Sequence, residues 1–91
     1  MLNKRIAMAT VSPWTDVITG DPAKTARYIA ECRWRTGRTQ QTFANAIGAK
    51  PSAVRAWEAG RRSPLGPTAK LLIYLSEHPE LINELAEIDI S

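Results

Sequence analysis

The chain has 91 residues, of which 44% are apolar and 23% are charged, with a net charge of +3. This length predicts one domain with a modest core. The single cysteine, Cys32, excludes an intrachain disulfide, and no run approaches the roughly 20 apolar residues of a membrane span, so we expect a cytoplasmic protein with no membrane partner.

Residues 1–20 have no helical pattern. Two short runs that favour strands, residues 10–11 and 17–19, are separated by Pro13, and a Gly-Asp-Pro sequence follows them. We predict an N-terminal arm here and leave its structure open between an extended arm, a short hairpin and an unstructured lead.

The first two predicted helices have clear start and stop signals. Asp21 is a favourable N-cap, and Pro22 suits the first helical position. Apolar residues then recur at helical spacing up to Gly37, which predicts the end of the helix. Thr39 predicts the cap of a second helix, which Gly48 ends after about two turns.

Prolines and glycines also delimit the remaining helices. Pro51 predicts the start of a third helix and Gly60 its end. Pro67 predicts a fourth helix, which the His-Pro pair at residues 78–79 ends, and a fifth helix follows from about Glu80. Five short helices in a chain of this length predict an all-α fold.

The most informative segment covers residues 36–64, TGRTQQTFANAIGAKPSAVRAWEAGRRSP. Two short helices joined by a glycine-containing turn are the geometry of a helix-turn-helix. The pair requires a small residue where the helices cross, met by Ala44, and a left-handed turn residue, met by Gly48. Ile47 and Val54 supply the apolar contacts between the two helices.

This segment resembles the Cro/cI-type (xenobiotic-response-element) helix-turn-helix family, which includes phage repressors and many antitoxins. The matching positions are Arg33, Gly37, Thr39, Gln40, Phe43, Ala44, Ile47, Gly48, Val54, Trp57, Glu58 and Gly60. One departure is Lys50, which stands where the family usually caps the third helix with serine or threonine.

The resemblance covers about residues 25–81 and implies a five-helix, lambda-repressor-like helix-turn-helix domain over residues 21–78. Residues 79–91 would form a C-terminal helix used for dimerisation. The implied function is a sequence-specific, double-stranded-DNA-binding transcriptional regulator, a bacterial or phage-encoded dimeric repressor that inserts its third helix into the major groove of a palindromic operator.

The distribution of charge independently favours a nucleic-acid partner. Residues 24–70 contain ten basic and two acidic side chains, whereas residues 71–91 contain five acidic and no basic ones. Such segregation predicts a basic face that meets a polyanion and an acidic face turned away from it. An ordinary solvated surface is the alternative, although it would not require the segregation.

The candidate DNA contacts fall into two groups. The base-reading candidates share the outer side of the third helix, opposite Val54 and Trp57, and are Lys50, Pro51, Ser52, Arg55 and Ala56. The phosphate-contact candidates lie at the ends of the helix pair and are Arg38, Thr39, Gln40, Arg61 and Arg62. Arg55 suits a bidentate contact to guanine. The family resemblance assigns the Gln40 contact, and it also implies a structural ion pair between Arg33 and Glu58.

The C-terminal residues are more apolar than a small monomer requires. Leu81, Ile82, Leu85 and Ile88 therefore predict a homodimer interface. Two alternatives stay open. The last helix can fold back onto its own core, or the tail can bind a toxin protein, in which case the chain is an antitoxin that represses its own operon.

The residue inventory argues against an enzyme. His78 is the only histidine, Cys32 is the only cysteine, and neither has a partner at a telling spacing. A metal site needs three or four ligands, and no glycine-rich phosphate loop occurs. We therefore expect no catalytic residues, no metal and no cofactor.

Overall fold

The computed structural model describes residues 21–88, which form five α-helices and, among these residues, no strand. The helices are α1 (Pro22–Thr36), α2 (Gln40–Ile47), α3 (Pro51–Glu58), α4 (Gly66–Glu77) and α5 (Ile82–Glu87), with a 3-10 turn at Pro79–Leu81. The all-α prediction is confirmed for this part of the chain. The predicted N-terminal arm, residues 1–20, lies outside the described residues, as do residues 89–91.

Local capping chemistry explains where the first two helices begin and end. The Asp21 carboxylate accepts hydrogen bonds from the backbone N–H groups of Ala23, at 2.9 Å, and Lys24, at 3.4 Å. Thr39 caps α2 by a reciprocal exchange with Thr42, in which each side chain binds the other residue's backbone N–H. Gly37 ends α1 in the left-handed conformation. All three predicted boundaries are confirmed.

All five helices contribute side chains to one core. Its largest fully buried side chains are Phe43, Ile29, Leu72, Leu75, Ile82, Val54, Thr25 and Cys32. Helix α2 contacts both α3 and α5, and α1 contacts α3 and α4. The short α2 and α3 are therefore held by tertiary packing, since isolated helices of this length are unstable in water.

Polar side chains join α1 to α4, some of them inside the core. The Tyr28 hydroxyl donates a hydrogen bond to Ser76 Oγ, and Arg35 Nη1 donates to the Ser76 carbonyl oxygen at 2.9 Å. Burial raises the pKa of Tyr28 to about 12. The Cys32 thiol donates to the Leu72 carbonyl oxygen at 3.7 Å, and burial raises its pKa to about 11. Both groups therefore stay protonated across the neutral range.

The C-terminal segment folds back onto its own chain, which corrects one interface prediction. Ile82 is only 1% exposed and belongs to the core, so it is not available to a second subunit. Leu81 and Leu85 are half-buried against the same core, whereas Ile88 is 63% exposed. A 3-10 turn, which the sequence pattern did not predict, occupies Pro79–Leu81 and delays α5 until Ile82.

The described helices are short or contain charged residues. Among residues 21–88, none is long and apolar enough to cross a membrane.

Candidate nucleic-acid interface

Helices α2 and α3 are joined by a turn of three residues, 48–50. Gly48 has φ +80°, a left-handed conformation that strains residues with a side chain. The N–H of Ala49 donates to the Ala44 carbonyl oxygen at 2.9 Å, which closes the end of α2. Ala44 is fully buried, as its predicted position near the crossing of the two helices requires.

Helix α3 has one side in the core and one side in solvent. Val54 and Trp57 are buried, while Lys50, Ser52 and Arg55 are exposed. These three candidate base-reading residues are therefore free to contact a ligand. Their side chains contribute little to the packing that holds the helix.

Two other base-reading candidates on α3 are placed differently. Ala56 is 5% exposed, so its methyl group cannot reach a base, and this prediction is wrong. Pro51 is half-buried and offers only part of its ring to solvent. Lys50 occupies the N-cap of α3 and makes no side-chain capping bond, in agreement with the missing hydroxyl at this position.

The predicted ion pair between Arg33 and Glu58 is present and ties α1 to α3. Arg33 Nε lies 2.7 Å from Glu58 Oε2, and Arg33 Nη2 lies 3.0 Å from Glu58 Oε1. The side chains are 19% and 9% exposed, respectively. The hydrogen bonds to the carboxylate raise the pKa of Arg33 above its ordinary value.

Further hydrogen bonds extend this ion pair to the start of α2. Gln40 Nε2 donates to Glu58 Oε1 at 3.0 Å, and Arg33 Nη1 donates to the Arg38 carbonyl oxygen at 3.0 Å. Sequence reasoning missed the bond between Gln40 and Glu58, which are 18 residues apart. One carboxylate thus orients Gln40, a candidate phosphate contact, as well as Arg33.

The structure brings three candidate contacts together in one open groove. Gln40 from α2, Arg55 from α3 and Arg61 from the following loop line this groove, together with Glu58 and Ala59. We call it the Arg55 groove. Arg62 is also exposed on the same loop but does not line the groove.

The other two phosphate-contact candidates belong to a second groove. Arg38 and Thr39 line it together with Arg33, Trp34 and Gly37, and we call it the Trp34 groove. Arg38 Nη2 also donates to Asn83 Oδ1 at 3.3 Å. The Thr39 hydroxyl is engaged in capping α2. This residue therefore lines the groove but has little hydrogen-bonding capacity left for a ligand.

Trp34 is the feature of this surface that the sequence pattern left unassigned. Its side chain is 80% exposed, whereas Tyr28, the other aromatic residue of α1, is 4% exposed. The helical spacing of the sequence indicates this exposure, because Trp34 stands two residues, or about 200°, from the buried Cys32.

Similarity to known proteins does not assign a function to this surface. Comparison of the chain with models of protein families, with curated proteins and with solved structures found no match. Within residues 21–88, no three metal-ligating side chains cluster. The candidate surface presents guanidinium, ammonium, amide and hydroxyl groups. Such groups donate hydrogen bonds to anions and to base edges.

Proposed function

We propose that this protein is a sequence-specific, double-stranded-DNA-binding transcriptional regulator in which α2 and α3 form a helix-turn-helix. The observation that carries the proposal is the two-sided character of α3. Val54 and Trp57 anchor the helix in the core, while Lys50, Ser52 and Arg55 extend into solvent. An α-helix fits the major groove of B-DNA, which is about 12 Å wide.

Base recognition in this proposal rests mainly on Arg55. Its guanidinium donates two parallel hydrogen bonds to O6 and N7 of a guanine, the commonest specific contact in the major groove. Ser52 donates to or accepts from a neighbouring base edge, and Lys50 binds a guanine or a phosphate at the start of α3. Pro51 offers the exposed part of its ring to a thymine methyl group.

Contacts to the DNA backbone set the register of α3. Gln40 and Arg61 line the Arg55 groove together with Arg55, and in this proposal they bind phosphates at the edge of the DNA groove. Arg62 adds a second exposed cation on the same loop. The bond from Gln40 to Glu58 fixes the amide before DNA arrives, which reduces the entropy lost on binding.

We further propose that the regulator acts in the cytoplasm as a homodimeric repressor. Ile88, Leu81 and Leu85 border an apolar groove between α4 and α5, together with Leu71 and Tyr74. A second copy that packs against this groove produces a two-fold dimer without the buried Ile82. Two copies of α3 then bind the half-sites of a palindromic operator and block transcription there.

Binding-site selection from a pool of random duplexes tests the DNA-binding proposal. We expect the wild-type chain to enrich one sequence, and Arg55→Ala to weaken binding to that sequence by about 1–3 kcal/mol with little change on random DNA. Arg61→Ala should weaken binding to both and lower the salt dependence by about one unit of slope. Lys70→Ala, which removes an exposed charge on α4, is the matched control. Failure to enrich any sequence, or an equal loss on both DNAs for Arg55→Ala, contradicts the proposal.

Sedimentation of Ile88→Glu tests the dimer. Because Ile88 is 63% exposed, the variant should fold and remain monomeric at concentrations where the wild-type chain is dimeric. Leu65→Glu introduces the same charge at a residue that is 76% exposed elsewhere and should leave the dimer intact. A dimer that survives Ile88→Glu rules out this interface.

A further inference from the structure

Trp34 is the most exposed of the large apolar side chains of residues 21–88, with 80% of its surface in water. Exposing an indole is unfavourable, and tryptophan is enriched where proteins meet their partners. The base-reading and phosphate contacts proposed above make no use of this residue.

The walls of the Trp34 groove indicate the chemistry of its occupant. Arg33 and Arg38 line the groove, no acidic residue does, and its volume is about 370 Å³. Glu58 neutralises Arg33, so Arg38 supplies the unbalanced positive charge. An apolar indole face next to a guanidinium suits a ligand that combines an apolar surface with an anion, as each deoxyribose-phosphate unit does.

The Trp34 groove is next to the Arg55 groove, and the Arg33–Glu58 ion pair separates them. Glu58 lines the Arg55 groove, while Arg33 lines the Trp34 groove. Arg33 also donates to the carbonyl oxygen of Arg38, a residue of the Trp34 groove. A DNA strand that follows Arg61 and Gln40 therefore reaches the Trp34 groove by continuing past this pair.

We propose that the Trp34 groove binds the sugar-phosphate backbone of the DNA strand that flanks the bases contacted by α3. The indole of Trp34 packs against a deoxyribose, and the guanidinium of Arg38 binds the adjacent phosphate. This inference rests on the proposed function and extends the interface from the Arg55 groove to the end of α1.

Tryptophan fluorescence and affinity measured on one duplex test the inference. The background variant Trp14→Phe keeps Trp34 and Trp57, and acrylamide reaches mainly Trp34 because Trp57 is 7% exposed. The probe is a mixed-sequence duplex of about 30 base pairs at about 50 mM salt, where backbone contacts are strong. We expect the duplex to protect Trp34 from acrylamide. In the otherwise wild-type chain, Trp34→Ala should weaken duplex binding about tenfold, equivalent to about 1.4 kcal/mol. Leu65→Ala, which removes an exposed apolar side chain outside both grooves and outside the proposed dimer interface, should have no effect.

Any of four other results overturns the inference. They also distinguish a failure of the inference from a failure of the proposed function. If the duplex binds but Trp34→Ala binds equally well and Trp34 stays accessible to acrylamide, the groove does not contact DNA although the proposed function stands. If Trp34 is already protected in dilute free protein, the groove is not open to DNA. If protection follows protein concentration without DNA, a second copy occupies the groove. Absence of duplex binding by the wild-type chain removes the proposed function itself.

Discussion

Removal of the Glu58 carboxylate should destabilise the fold more than any other single change of a charged residue among those described. Three donors meet on this carboxylate: Arg33 Nε at 2.7 Å, Arg33 Nη2 at 3.0 Å and Gln40 Nε2 at 3.0 Å. The Glu58→Ala variant leaves the Arg33 guanidinium, 19% exposed, with no carboxylate partner. Its charge is then held in a partly desolvated position, with the hydrogen bond to the Arg38 carbonyl oxygen as the remaining polar contact described for it.

The expected loss in the free energy of unfolding of Glu58→Ala lies between two known limits. Removing one partner of a fully buried ion pair costs about 3–5 kcal/mol, and an exposed pair contributes about 0–1 kcal/mol. Because the Glu58 side chain is 9% exposed, the cost should lie nearer the upper limit, at about 2–4 kcal/mol. Since the free energy of unfolding of small domains is about 5–15 kcal/mol, the variant should lose a substantial share of its stability and still fold.

Urea unfolding followed by circular dichroism measures this loss. With a slope of about 1 kcal/mol per molar urea, the midpoint of Glu58→Ala should fall by roughly 2–4 M. Glu31→Gln is the matched control, because Glu31 pairs with Arg35 at 2.9 Å but both side chains are at least half exposed. The control midpoint should barely move. If Glu58→Ala changes the midpoint no more than Glu31→Gln does, solvent screens the pair and the reasoning is wrong.

Three further predictions are tested by the same unfolding assay. Gly48→Ala should lose about 1–2 kcal/mol, since no atom lies within 4 Å of the added Cβ and the cost comes only from φ +80°; a change below about 0.3 kcal/mol contradicts this. Stability should fall as pH rises above 9, because the folded state keeps the Cys32 proton up to about pH 11 while the unfolded chain loses it near 9.0, and Cys32→Ala should delay the fall. Tyr28→Phe should remove the loss of stability that occurs between pH 10.0 and about 12. If the dependence of stability on pH is the same in both variants as in the wild-type chain, Cys32 and Tyr28 are not its cause. Ile82→Ala should cost about 2–5 kcal/mol and Ile88→Ala less than about 0.5 kcal/mol, and equal losses would place both residues in one environment.

The helix boundaries were predictable because each depends on a few neighbouring residues. Asp21 and Thr39 bind backbone N–H groups two or three residues further along the chain. Gly37 and Gly48 end their helices in left-handed conformations that other residues rarely adopt. These interactions are local, so the sequence predicts them without knowledge of the tertiary fold.

The burial of Ala56 and Ile82 was not predictable in the same way. Ala56 stands about 200° from Val54 on an ideal helix, which indicates an outward position. It is nevertheless only 5% exposed in the folded chain, where α3 packs against both α1 and α2. Ile82 is buried in the core cluster, where it follows a 3-10 turn that the sequence pattern did not predict. Both outcomes follow from packing between segments, which helical spacing does not report.

The grouping of Gln40 with Arg55 and Arg61 was only partly predictable. The sequence places these residues at the ends or on the outer side of two helices, but the groove that they share requires the relative position of α2 and α3. The hydrogen bond between Gln40 and Glu58 depends on the same tertiary arrangement. Helical spacing indicates that Trp34 points away from the core, but the groove that it lines requires the tertiary structure.

The separation of buried and exposed side chains on α3 also determines how this surface can change. Its inner side chains, Val54 and Trp57, secure the helix, whereas Lys50, Ser52 and Arg55 project away from the core. Substitutions at these three outer positions therefore leave folding almost untouched. Exchanging these three side chains can therefore change which ligand the helix binds while the fold stays the same. New binding preferences can then arise, in evolution or in the laboratory, without unfolded intermediates.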